Sequence, residues 1–267
     1  MKKQLLIIGV TLVFLIAGLS GCLGTVTKNF NGEYEANENT ILKIKNINGE
    51  IKINSWDGIN VTLNAVIRSY VGNDELENIN IEVVESNNVI DIETKYLGTG
   101  SVQASTDMTI KIPTYVNVDS VITSNGEVQI SDIKGNITAH SSNGAMKIAD
   151  VDGYVKVSSS NGNLEVKGTT GVDDLTTSNG EIYAEIFDFQ KNITISTSNG
   201  GIKLYINPSL NANIEMTTSN GQISIRGISL NLTLSEEKHK IGKLGDGGNT
   251  LNIHTSNGNI NLYKLEI

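Results

Sequence analysis

Side chains able to do acid–base, nucleophilic or metal chemistry are few in this chain and widely scattered. There are three histidines, His140, His239 and His254, and one cysteine, Cys22. His140 and His254 each fall three residues before an asparagine of a recurring motif, so they share a register, far apart if the copies stack in order. No shared metal site and no cofactor are expected from them. Glycoside hydrolysis or polysaccharide lysis would need convergent carboxylates, or carboxylates beside a base, on one face. Two positions after each motif asparagine stand Glu127, Ala145, Asn163, Glu181, Gly201, Gln222 and Asn259. Four positions after stand Gln129, Lys147, Glu165, Tyr183, Lys203, Ser224 and Asn261. Neither column gathers an acidic cluster. Gly245–Leu251 is similar to a calcium-binding β-roll repeat, but a single imperfect copy cannot supply the six or more oxygens that calcium takes. The reading is of a protein that is not an enzyme.

Cys22 has a different context. Lys2 and Lys3 precede an apolar run from Leu5 to Leu19, shorter than the ~20 residues a spanning helix needs. The run ends in Leu19-Ser20-Gly21-Cys22, which looks like a lipobox, where cleavage frees a cysteine whose sulfur takes a diacylglycerol. Residues 1–21 are therefore read as a lipoprotein signal peptide, Cys22 as the lipidation site and residues 22–40 as a tether with a first strand. The expected location is extracytoplasmic, on the cell surface or in the periplasm, with the membrane as partner through the lipid. As the sole cysteine it leaves the fold without disulfides.

The net charge of −9 argues against nucleic acid as a partner, since phosphate binding needs clustered cations. Arg68 and Arg226 are the only arginines. Glycine (27) and asparagine (33) are abundant, proline (2) is scarce and aromatics make up 5% of residues, so many turns and an aliphatic core are expected.

The elements that position these residues come from a repeat. Thr/Ser-Ser-Asn-Gly recurs around Asn125, Asn143, Asn161, Asn179, Asn199, Asn220 and Asn257, and Asn48-Gly49 opens an earlier copy. Successive spacings from Asn125 are 18, 18, 18, 20, 21 and 37, the last near two periods, as though one copy had lost its signature or become a loop. Aliphatic residues stand three and five places after nearly every motif asparagine, from Val128 and Ile130 to Ile260 and Leu262, and residues two apart in a strand share a face. Val121, Ala139, Val157 and Leu175 lie four places before. Gly135, Gly153 and Gly171, ten places after, mark a second turn.

Two architectures fit. Asn-Gly between strands is a hairpin signal and would give an antiparallel β-meander. Stacking the copies instead gives an all-β, single-stranded parallel β-helix or solenoid of about 18-residue coils. The solenoid is preferred, because it explains why the whole tetrapeptide recurs: asparagines at one position can hydrogen-bond along a column as a turn ladder, and the Thr and Ser hydroxyls before them can do the same. The domain is placed at 41–267, interrupted by other strands over 66–117 and by a loop insertion at about 226–250. Asn-x-Thr sequons stand at Asn60, Asn136, Asn192 and Asn231.

Three stretches carry a resemblance: Ile47–Ile53 with Trp56-Asp57-Gly58, Ile110–Pro113 leading into the first full motif, and Gly248–Leu262. They resemble the putative-adhesin domain of unknown function, a family of envelope β-strand repeat proteins. That resemblance implies a β-helix-like fold and brings no catalytic residues. The expected function is a lipid-anchored, non-catalytic envelope module that binds or presents to a surface glycan or protein. The alternatives are a structural stalk or scaffold and, less favoured, a polysaccharide lyase or hydrolase.

Overall fold

The computed structural model describes residues 25–266, so Cys22 and the signal segment lie outside it. The amino-terminal half comprises β1 (Val26–Glu35), β2 (Ile41–Asn48), β3 (Ile51–Trp56), β4 (Asn60–Ser69), a one-turn α1 (Asn73–Glu77), β5 (Ile79–Ser86), β6 (Val89–Tyr96), β7 (Ala104–Pro113), β8 (Asn117–Asn125) and β9 (Val128–Lys134). Then come β10 (Ile137–Asn143), β11 (Met146–Asn161), β12 (Leu164–Asn179), β13 (Ile182–Ile186), β14 (Ile193–Asn199), β15 (Ile202–Ile206), β16 (Ala212–Asn220) and β17 (Ile223–Arg226). The chain closes with β18 (Asn231–Ser235), β19 (His239–Leu244), β20 (Thr250–Asn257) and β21 (Ile260–Lys264).

Strands that lead into the motif stack parallel as one ladder, β2–β8–β10–β11–β12–β14–β20–β16. Strands that leave it stack as a second, β3–β9–β11–β12–β13–β15–β21–β17. Each coil contributes one strand to each ladder, with the Asn-Gly corner between them. The long β11 and β12 also run through the second corner. The parallel solenoid is thus the fold, and the meander is excluded because motif strands pair with their own equivalents. Inward positions three and five after each asparagine are buried in one continuous core; only Ile223 and Ile225, on the outermost strand β17, are partly open.

The coils do not stack in sequence order. β20 pairs with β14 on one side and β16 on the other, and β21 lies between β15 and β17. The last coil of the chain is therefore inserted beneath the one before it. This corrects the reading of the 37-residue gap: no coil has been lost. Residues 226–250, expected as a loop, include the β18–β19 hairpin, whose β19 runs antiparallel to β16 and covers the edge of the stack. At the other end β6 and β7 lie outside β2 and β3, and antiparallel β5, β4 and β1 complete the cap. These caps cover the ladder edges at β2, β3 and β16, and such covering limits pairing with other chains; β17 pairs on one side only, with β21.

The turn chemistry also differs from expectation. The tight hairpin turn with left-handed backbone is Asn87-Asn88 (φ 52° and 64°), between β5 and β6. The second corner bends at Asp132 and Asp150 (φ 56° and 52°), seven places after the motif asparagines. The motif glycines have another role: a Cβ on Gly144 would sit 1.9 Å from the Gly126 carbonyl oxygen, and one on Gly162 1.9 Å from that of Gly144. Glycine is needed there because successive corners stack backbone on backbone.

Candidate functional site

The eight predicted turn asparagines form one column in spatial order. Asn125 Nδ2 donates to Asn48 Oδ1 (2.6 Å), Asn143 to Asn125 (2.8 Å), Asn161 to Asn143 (2.7 Å) and Asn179 to Asn161 (2.7 Å). Asn199 donates to Asn179 (2.8 Å), Asn257 to Asn199 (2.8 Å) and Asn220 to Asn257 (2.9 Å). Asn48 Nδ2 ends the run on the Ala104 carbonyl (3.2 Å). Every amide points the same way, so neighbouring dipoles reinforce one another. The motif's first residue does not extend the ladder sideways: Thr177, Thr197, Thr255 and Thr218 turn inward and donate to the glycine carbonyl of the adjoining coil at 2.9–3.0 Å. The corner ridge is therefore a support.

Beside it, the outward face of the second ladder carries a distinctive cluster. Register pairing sets Tyr183 against Lys203, Lys203 against Asn261 and Tyr205 against Tyr263. The Tyr183 and Tyr205 ring centroids are 5.5 Å apart, and those of Tyr205 and Tyr263 are 5.1 Å apart and nearly parallel at 21°. Lys203 Nζ lies 5.6, 5.2 and 5.5 Å from the centroids of Tyr183, Tyr205 and Tyr263, and Lys167 Nζ lies 4.9 Å from Tyr183. Ammonium groups near aromatic rings are drawn to the ring quadrupole. The Tyr205 hydroxyl beside Lys203 holds that lysine above its ordinary pKa, and partial burial raises the Tyr183 phenol.

An open groove of about 410 Å³ runs next to this cluster, lined among others by Asn163, Glu165, Glu181, Tyr183, Lys203 and Asn261. Its notch is Gly201, which stands where other coils carry Glu181 or Asn259. A Cβ there would meet nothing nearer than the Asn259 carbonyl oxygen at 3.6 Å, so close packing does not require this glycine. Its missing side chain keeps the groove open.

Sequence reasoning located Tyr183, Lys203 and Gly201 in their columns but missed Tyr205 and Tyr263. Both stand six places after their asparagines, one outward position beyond the columns considered. They also become neighbours only because the last coil is inserted out of order.

Several carboxylates on the same face are engaged, whereas the Glu181 carboxylate in the groove lining has no side-chain partner among the described residues. Glu127 accepts from Lys147 (2.8 Å) and from Gln129 (2.9 Å); Glu165 pairs with Lys167, and Gly168 N–H donates to Glu185 (3.2 Å). Lys147 holds Glu127 below the usual carboxylate range. A general acid working near neutral pH needs the opposite shift. His140 and His254 share a column, separated by Ser158, Thr176 and Ser196, hence by four strand spacings or about 19 Å. Each ring bonds instead to a neighbouring hydroxyl, His140 to Ser158 (2.8 Å) and His254 to Thr217 (2.9 Å). Among the described residues there is no group of three His, Cys, Asp or Glu placed to hold a metal ion, and no helix is long and apolar enough to cross a membrane.

Two parallel ladders around one shared core define a β-solenoid protein. The chain belongs to the Toastrack DUF4097 family, whose model matches residues 35–263. Among solved structures it is similar to a putative cell adhesion protein from Clostridium sporogenes, at 15% identity and TM-score 0.37 over 90% of this chain and 100% of that one. A putative adhesin from Bacteroides fragilis matches at 13% identity and TM-score 0.39, over 89% and 97%. A putative lipid binding protein from Parabacteroides distasonis matches at 12% identity and TM-score 0.28, over 89% and 97%. No curated protein matches the chain.

Proposed function

We propose that this protein is a lipid-anchored, non-catalytic cell-envelope module that binds an extended surface glycan along the outward face of its second ladder. The observation that carries the reading is the row of Tyr183, Tyr205 and Tyr263 around Lys203, opening onto the groove beside Gly201. Phenols are rigid and amphipathic, with an apolar body and a hydroxyl that both donates and accepts. Coil stacking repeats such groups at the strand spacing, which is close to the sugar-to-sugar repeat of an extended polysaccharide. Amides of Asn163 and Asn261 and the ammonium of Lys203 complete a surface suited to hydroxyl-rich ligands. A non-catalytic role is supported by the engagement of Glu127, Glu165 and Glu185 with partners of their own. The anchor reading rests on the apolar leader and Leu19–Cys22: removal of residues 1–21 and thioether acylation of Cys22 would tether the module outside the membrane.

The test is a glycan array and a polysaccharide pull-down with the full chain in mild detergent. Retention of one glycan class, lost in Tyr205→Ala and Tyr263→Ala chains that keep their thermal stability, is the expected result. Uniform absence of binding would overturn the glycan reading.

A further inference from the structure

The end of the solenoid opposite the tyrosine row exposes several large apolar side chains, and three of them gather at one corner, away from Val84 on β5 and from Ile59 at the other end of β4. Tyr70 and Val71 follow β4 and are 70% and 63% exposed; Leu97 follows β6 and is 66% exposed. They share one corner of the cap. Tyr70 N–H donates to the Gln103 carbonyl (3.4 Å) and Leu97 N–H to the Asn78 carbonyl (2.8 Å), while Ser69 pairs with Ala104 in register. The corner is also braced: Glu75, at its heart, accepts from Gln103 N–H (2.7 Å), Tyr96 Oη (3.3 Å) and Asn78 Nδ2 (3.3 Å), and Leu76 is buried beneath. Rigidly held apolar tips on loops are not what a fully solvated cap requires.

The chain's amino-terminal end arrives at this same corner. β1 runs antiparallel to β4 with Val26 opposite Ser69, the residue before Tyr70. Four Cα steps separate Cys22 from Val26, which span at most about 14 Å. Each headgroup layer of a bilayer is about 5–7 Å deep. A lipid on Cys22 therefore holds Tyr70, Val71 and Leu97 within reach of the interface. A tyrosine flanked by aliphatics is the residue set favoured at that depth.

We propose that Tyr70, Val71 and Leu97 form a foot that seats in the lipid interface next to the acylated Cys22, a reading that rests on the proposed lipidation. Exposed Asp74 and Glu77 flank the foot, with Lys28 3.4 Å from Glu77. Those charges favour an electroneutral lipid surface over an anionic one.

The test uses the full lipidated chain in phosphatidylcholine vesicles. Cys22 is the only native cysteine, so once it is acylated an introduced cysteine is the only free thiol. Nitroxide labels are placed in Val71→Cys and Leu97→Cys chains and, as a control at the far cap, in a Leu232→Cys chain. Their accessibility to oxygen and to a water-soluble nickel chelate is measured, and mass spectrometry of the same samples reports the lipid on Cys22. Oxygen exceeding nickel at positions 71 and 97, with the reverse at 232, is the expected result. Adding Tyr70→Asp to the Leu97→Cys chain should return that label to water. Labels at 71 and 97 as wet as at 232, with the lipid present, would overturn the foot and leave the anchor standing. An unmodified Cys22 would overturn both.

Discussion

Asn199 and Asn257 are 58 residues apart in the chain and joined by a 2.8 Å side-chain amide bond, while Asn220, nearer in sequence to Asn199, lies one coil farther out. Out-of-order stacking follows from this pairing, and with it the contact between Tyr205 and Tyr263. It makes residues 250–264 an interior coil with partners on both sides. Deleting residues 250–267 should therefore cost far more than loss of a terminal coil. Loss of cooperative unfolding by circular dichroism is expected, with recovery when a peptide of residues 248–267 is added.

Asn161 donates one side-chain amide bond and accepts another, whereas Asn220, at the open end of the column, takes part in one. At roughly 0.5–1.5 kcal/mol per bond, Asn161→Ala should destabilise by about 1–3 kcal/mol and Asn220→Ala by about half as much. Denaturant midpoints of the two variants measure the difference; equal effects would argue against a column that shares its bonds.

Glycine tolerance should separate the corner from the groove. Gly144→Ala places a methyl 1.9 Å from the Gly126 carbonyl oxygen of the preceding coil and should cost about 1–3 kcal/mol. Gly201→Ala meets nothing closer than 3.6 Å and should stay within about 0.5 kcal/mol. Thermal unfolding of the pair is the check.

For binding, Gly201→Gln fills the notch with the residue type found at position 222 and should abolish glycan retention with little change in melting temperature. Lys203→Gln removes an ammonium donor from the groove and should weaken retention about tenfold, a loss of about 1.4 kcal/mol, the size of one hydrogen bond to the glycan. Isothermal titration with the retained glycan reads both.

Stability should be flat across neutral pH and fall at both extremes. Lys147 lowers the folded-state pKa of Glu127, so that contribution is complete above the ordinary carboxylate value of 4.5 and is lost as pH falls through the depressed one. Glu127 in turn raises Lys147, so the pair's contribution is complete below the ordinary lysine value of 10.5 and fades as pH rises through the raised one. Both groups are largely solvated, so the effects are small. Lys147→Gln should flatten the acid limb, measured by denaturation at pH 3–5.

Most of the architecture was legible in the sequence because each coil obeys the same rule. Val128, Met146 and Leu164 face inward for one reason, and the asparagines align because equal spacing gives equal position in a stack. Periodicity shows which residues are equivalent but not which coils are neighbours. Nothing local distinguishes β20 from a coil added at the end; the insertion is decided by pairing at both of its edges. The tyrosine row was hidden for the same reason. Left-handed bends at Asp132 and Asp150 were masked by the more conspicuous glycines three places later, and Asn87-Asn88 offered a hairpin turn without the Asn-Gly signature.

The inserted coil also sets a schedule. Residues through Asn199 can be laid down as they are synthesised, each coil adding to one already made: β6 and β7 on one side of β2 and β3, then β8 and β9 and their successors on the other. Residues 212–226 cannot join them until β20 and β21 have emerged to lie between. Strands β20 and β21 act as a keystone: a chain cut short before them leaves β14 and β16, and β15 and β17, with unpaired edges facing a gap and open to proteolysis.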